Sequence, residues 1–231
     1  MTTIIGTIII PEMKKILLCA CILIPFLLAS CGGNGQETTT AGGSVTTKST
    51  GLNLVNFSTE DFAGSGNCAS CHIDLEDQIG NYVSIGTHWR STMMANAAKD
   101  PFWQAKVASE VARNPHLKET IEEKCASCHM PMAYTQAEVR DVSALMFENG
   151  FTNPSNPLNP AAMDGVSCTL CHQIVDPVLG KYTVDTSTEP PHRLIYGPYE
   201  DPEQSLMIST SQFTPMYAEH ITDSVLCGTC H

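Results

Sequence analysis

Cys68-Ala69-Ser70-Cys71-His72, Cys125-Ala126-Ser127-Cys128-His129, Cys168-Thr169-Leu170-Cys171-His172 and Cys227-Gly228-Thr229-Cys230-His231 are four copies of one pattern, C-x-x-C-H. This is the attachment pattern of c-type haem. Two thiols three positions apart on a helical turn add to the two vinyl groups of one porphyrin. The next residue then sets an imidazole under the iron. Zinc sites built from C-x-x-C pairs need no adjacent histidine and favour reducing compartments. Thioredoxin-like redox motifs usually occur singly, within a strand–helix pattern. Four complete copies therefore point to four covalent haems.

The first cysteines fall at 68, 125, 168 and 227, too unevenly for a solenoid repeat. Four porphyrins in so short a stretch would supply much of the apolar core, in keeping with an aromatic content of only 6%. The expected fold is mainly α with much irregular loop, helices and loops wrapping a closely packed array of c-type haems. Asp100-Pro101 offers an N-cap and a proline at the first helical position, leading into a helix over 102–112. Asn114-Pro115 opens a second helix that runs into Cys125–His129. Thr135 and Glu138 read as a capping box, with Gly150 stopping that helix after Asn149. Residues 151–160, with three prolines and three asparagines, read as loop. One short β-hairpin is expected near 174–184, turning at Gly180. Pro190-Pro191 and Gly197-Pro198 mark more loop.

Ahead of the motifs lies a targeting segment. Lys14 and Lys15 precede an apolar run from Ile16 to Ala29, shorter than the roughly 20 residues a bilayer span needs. Basic start, apolar middle and small residues before a cut describe a secretory signal over residues 1–30. Residues 1–12, ahead of Met13, read as an over-called start. Leu28-Ala29-Ser30-Cys31 resembles the lipobox of bacterial lipoproteins, which implies lipid on Cys31 and an outer-membrane anchor facing periplasm or cell surface. Residues 32–51 are polar and glycine-rich and read as a flexible tether. The domain proper is expected over 52–231.

Four histidines lie outside the motifs, His88, His116, His192 and His220, matching in number the motif ligands His72, His129, His172 and His231. Equal counts suggest His/His ligation of every iron. His116 lies 13 residues before His129, about 20 Å along a continuous helix at ~1.5 Å per residue. It should therefore reach a neighbouring haem rather than its own motif's. The same holds for His220 and His231 if that stretch is helical. Met93 and Met94, on an expected helix after His88, are the alternative ligands. Met130 and Met132 follow His129 too closely to cap its iron. Because the chain ends on a motif histidine, it is expected to be a fragment of a longer protein, with more chain to cover the last haem.

From Gly64 to His231 the sequence resembles multihaem c-type cytochromes, similar to the tetrahaem electron carriers of bacterial hydroxylamine oxidation and their larger relatives. The likeness rests on the four motifs, on Asp164-Gly165-Val166-Ser167 before the third, on His220 before the fourth, and on the segment Trp89–Ala98. It implies electron transfer through stacked haems between redox partner proteins. An oxidoreductase acting on a small nitrogen or sulfur compound is the other reading, but it needs an open iron position, and no C-x-x-C-K motif occurs. With 24 acidic against 12 basic side chains, the chain lacks the clustered cations that nucleic acid rewards.

Overall fold

A computed structural model describes residues 54–230; the signal, Cys31, the whole tether and His231 lie outside the described residues. Ten short helices dominate: α1 (Ser65–His72), α2 (Ile85–Arg90), α3 (Met93–Asn96), α4 (Pro101–Arg113), α5 (Lys118–His129), α6 (Pro131–Val139), α7 (Asn159–Met163), α8 (Cys168–Cys171), α9 (Gln204–Ser211) and α10 (Val225–Gly228). Strands β1 (Ile174–Val178) and β2 (Lys181–Val184) form the antiparallel hairpin, with Gly180 at φ +73° in its turn. The architecture is mainly α with loops, as the motif pattern implied. No helix among the described residues is long and apolar enough to cross a membrane.

Local sequence explains most element boundaries. Asp100 caps α4 by accepting from the Phe102 amide at 2.9 Å, and Pro101 occupies its first turn. Pro115 opens a 3-10 turn over Pro115–Leu117, and α5 follows it as a separate element, so His116 precedes the helix that carries His129.

The capping-box expectation fails. The next helix begins at Pro131 and ends at Val139, so Thr135 is in its middle and Gly150 lies well beyond its end. Asp141 takes a left-handed φ of +52°. Its amide bonds to the Glu138 carbonyl, and the Val142 amide to that of Ala137, the paired bonds of a Schellman stop. The condition set for His220, a continuous helix toward the fourth motif, is not met: the chain there divides into a 3-10 turn over Glu219–Thr222 and α10.

A parallel pair escaped the sequence reading: β3 (Leu194–Gly197) lies beside β4 (Thr214–Tyr217), with α9 as the crossover.

The core is built from small and sulfur-bearing side chains. Met130, Met132, Met146, Ala126, Ala133 and Ala162 are fully buried, together with Phe62, Phe151 and Leu170. Methionine fills irregular gaps that a thin aromatic set leaves. One buried ion pair crosses this core: Arg193 and Asp61, each 2% exposed, meet at 2.7 Å. Asp61 also accepts from the Gln136 amide nitrogen, and its backbone carbonyl accepts from Gln173.

Candidate haem-attachment site

The segments that carry the motifs are fastened to one another by polar contacts. Asp164, 1% exposed, accepts from the Ser65 amide and hydroxyl at 2.8 and 2.6 Å, so the approach to motif three holds the start of the motif-one helix α1. The Trp89 indole donates to the Val166 carbonyl at 3.0 Å, and the Val166 amide to the Met94 carbonyl at the same distance. Gly165 makes this approach possible. Its φ is +69°, and a Cβ there would stand 2.7 Å from the Met94 carbonyl oxygen. Thus the two stretches singled out besides the motifs, Trp89–Ala98 and Asp164–Ser167, pack against each other.

Motif three is the most deeply set. Thr169 and Leu170 are fully buried, and the Thr169 hydroxyl donates to the Ala63 carbonyl at 2.8 Å. Motif four meets the hairpin turn, where the Gly180 amide bonds to the Gly228 carbonyl at 2.9 Å.

The eight motif cysteines form no disulfides with one another. The neighbouring Cys168 thiol and burial push the Cys68 thiol up, and Cys68 holds Cys168 below the usual thiol range. The Cys230 thiol nearby holds Cys128 down to about 5, and Cys128 in turn pushes Cys230 up. Burial, with Cys168 nearby, pushes Cys171 up to about 11. The thiols of motifs one and three thus perturb each other, as do those of motifs two and four.

Two motif histidines are oriented as axial ligands must be. His129 Nδ1 lies 3.1 Å from the Ala97 carbonyl oxygen, and His172 Nδ1 lies 2.6 Å from that of Tyr196. A carbonyl only accepts, so each Nδ1 carries the proton and each Nε2 keeps its lone pair for a metal. Thiols on helical turns followed by imidazoles in this tautomer fit a c-type haem.

The other histidines divide. His220 Nε2 approaches the Ile174 carbonyl at 2.8 Å, leaving Nδ1 as its free lone pair, and its ring meets Tyr196 edge-on at 5.4 Å. That sets it beside motif three. His88, His116 and His192 are exposed, and His72 is half-buried. Met93 is 76% exposed and Met94 43%. The structure thus gathers His129, His172 and His220 close to motif chemistry and leaves the three exposed histidines at the surface. The backbone acceptors Ala97 and Tyr196 were invisible to sequence reasoning, since any residue type supplies a carbonyl.

Residues 67–173 match the family described as cytochrome c554 and c-prime. The match spans the first three motifs, under half of the chain, and over that stretch makes the chain similar to c-type cytochromes. No curated protein and no solved structure matches the chain.

Proposed function

We propose that the chain is a tetrahaem electron carrier, exported and tethered to the outer membrane through lipid on Cys31. Its four haems would hang from Cys68 and Cys71, Cys125 and Cys128, Cys168 and Cys171, and Cys227 and Cys230. His72, His129, His172 and His231 would be the proximal ligands. His88, His116, His192 and His220 are the proposed distal set, with Met93 or Met94 as alternatives.

One observation carries the reading: His129 and His172, each directly after a C-x-x-C pair, present Nδ1 to a backbone carbonyl and keep Nε2 for a metal. The Ser65–Asp164 bonds hold the motif-one helix against the approach to motif three, so porphyrins attached at these two motifs would be neighbours, as a path for electrons between donor and acceptor proteins requires. When bound, haem supplies one-electron chemistry at iron. The protein's own part is to hold the rings, fix the imidazole tautomers and exclude water.

Intact mass of mature protein made with haem-maturation machinery tests the count. Four porphyrins above the lipidated polypeptide are expected, and a zinc adduct or unmodified thiols would refute it. Rapid mixing with a one-electron donor should then reduce all four haems.

The exposed positions of His88, His116 and His192 favour one second reading. A haem left without a distal ligand would have an open iron, as an oxidoreductase of a small nitrogen or sulfur compound needs. A high-spin ferric signal that nitrite or hydroxylamine abolishes would select it.

A further inference from the structure

The imidazole of His129 is held from two sides by a single stretch of chain. The Ala97 carbonyl meets its Nδ1 at 3.1 Å. The indole of Trp103 lies flat against its ring, with centroids 4.1 Å apart and planes 6° from parallel. Between these two contacts the chain turns through Asp100, which caps α4, and the Gln104 side chain ties back to the Ala98 carbonyl at 2.7 Å. Trp103 is half-buried and packs against the methionine-rich core. Holder and held are therefore both anchored.

We propose that Trp103 is a positioning residue for the second haem, fixing the azimuth of the His129 ring about its bond to iron. The inference rests on the reading of motif two as a haem site and goes beyond it by assigning a residue outside the motif. A hydrogen bond at Nδ1 alone leaves the imidazole free to rock about the line through Nδ1. A flat indole against the ring face removes that rocking, because rotation would drive the imidazole edge into the stacked ring. In His172 the Nδ1 bond is present, but no aromatic ring lies parallel to the imidazole among the described contacts. Among the described residues, the His129 ring is the motif imidazole given this additional hold. For a low-spin ferric haem, the orientation of the axial ring plane sets the splitting of the iron d orbitals and hence the g values. The contact therefore has a spectroscopic consequence at one iron.

The experiment uses the mature holoprotein and its low-spin ferric EPR spectrum. The double variant Cys125→Ala/Cys128→Ala first identifies which signal belongs to motif two, by its loss. Trp103→Met retains bulk but has no ring, and should shift the g values of that signal while leaving the others in place. Trp103→Phe keeps a flat ring and should hold the signal at the wild-type position. Where the methionine variant does not mature, Trp103→Leu carries the same expectation.

Unchanged g values in the ringless variant, with haem content intact by mass, would overturn the proposal. So would a shift of equal size in the phenylalanine variant, since stacking would then not be the cause. Absence of haem at Cys125 and Cys128 in the wild-type protein would instead defeat the reading on which the proposal stands.

Discussion

Motif one and motif three share a five-residue pattern and their segments are joined through Ser65 and Asp164, yet their surroundings differ. In motif three the intervening residues, Thr169 and Leu170, are fully buried, and His172 bonds to a backbone carbonyl. In motif one the corresponding Ala69 is 9% exposed, while Ser70 and Cys71 face solvent. The pattern C-x-x-C-H thus specifies what can be attached and says nothing about how deeply. Depth comes from elements distant in sequence: the segment at Asp61–Ser65, helix α6 and the strand after Arg193 all converge on motif three. A porphyrin there would sit in a low-dielectric setting, and one at motif one would border water.

The largest expected effect comes from removing what centres that convergence. Arg193→Met would leave Asp61 buried without its cation, which costs about 3–5 kcal/mol in comparable buried pairs. Chemical denaturation followed by far-UV circular dichroism measures the loss. The direction with pH is fixed. Burial already raises the Asp61 pKa against the pull of Arg193, and without Arg193 it rises further. A carboxyl whose folded pKa is raised favours the fold when protonated and loses that advantage as pH climbs through the folded value. The deficit of Arg193→Met should therefore narrow in acid. The double variant Asp61→Leu/Arg193→Met should recover much of it. A deficit that does not change with pH would place its cause in packing instead.

Next in size is a comparison between the motifs themselves. Leu170→Ala empties fully buried volume and should cost about 2–5 kcal/mol. At the matching position of motif one, Ser70→Ala is a surface change and should stay within about 0.5 kcal/mol. Similar losses at the two positions would mean that the contrast in depth does not survive in the holoprotein.

Much of this difference could not be read from sequence. The motif helices, the start of α4 at Asp100-Pro101 and the hairpin about Gly180 follow from neighbouring residues, so local pattern sufficed. The end of α6 did not, because Thr135 and Glu138 have the spacing of a capping box while Pro131, four residues earlier, starts the helix. Asp141 then stops it in a left-handed conformation that any sequence scan would assign to glycine first. The β3–β4 pairing joins residues 20 positions apart, as in Leu194 with Thr214, and its short strands carry no alternation of their own. Asp61 and Arg193 look like two ordinary surface charges until the fold brings them together. At the site, the cysteines and motif histidines were legible by type and spacing. The carbonyls of Ala97 and Tyr196 and the stacking of Trp103 were not, since they depend on where the chain passes.

A pair of glycines sharpens the comparison at a smaller scale. Gly165 precedes motif three, and Gly80 lies in the loop after motif one. Both have positive φ, +69° and +83°. Alanine at either position bears the left-handed strain of about 1–2 kcal/mol. Only at Gly165 would the new Cβ also press on backbone, 2.7 Å from the Met94 oxygen, whereas nothing lies within 4 Å at Gly80. Gly165→Ala should therefore lower the melting temperature more than Gly80→Ala. Equal shifts would show that the approach of the Trp89–Ala98 stretch to motif three yields easily.

The smallest effect tests how far the acidic surface contributes near Arg193. Asp185 is exposed, yet the Ser187 and Thr188 hydroxyls and the Ser187 amide hold its carboxyl down to about 2. Its backbone carbonyl accepts from the Arg193 guanidinium at 2.9 Å, linking this turn to the buried pair. A depressed carboxyl stabilises the fold above its unfolded pKa, near 3.9, and that contribution fades as pH falls from there through about 2. Solvent screening keeps it small. Asp185→Asn keeps a side-chain acceptor but removes the charge, so its melting temperature should lie slightly below wild type at neutral pH and converge with it in acid. This pH course is opposite to that of natural Asp61, whose raised pKa makes protonation favourable to the fold. If Asp185→Asn instead lost as much stability as Arg193→Met, the turn at Asp185–Thr188 would be the support that keeps Arg193 in place, and the depth of motif three would depend on a surface turn as much as on the core.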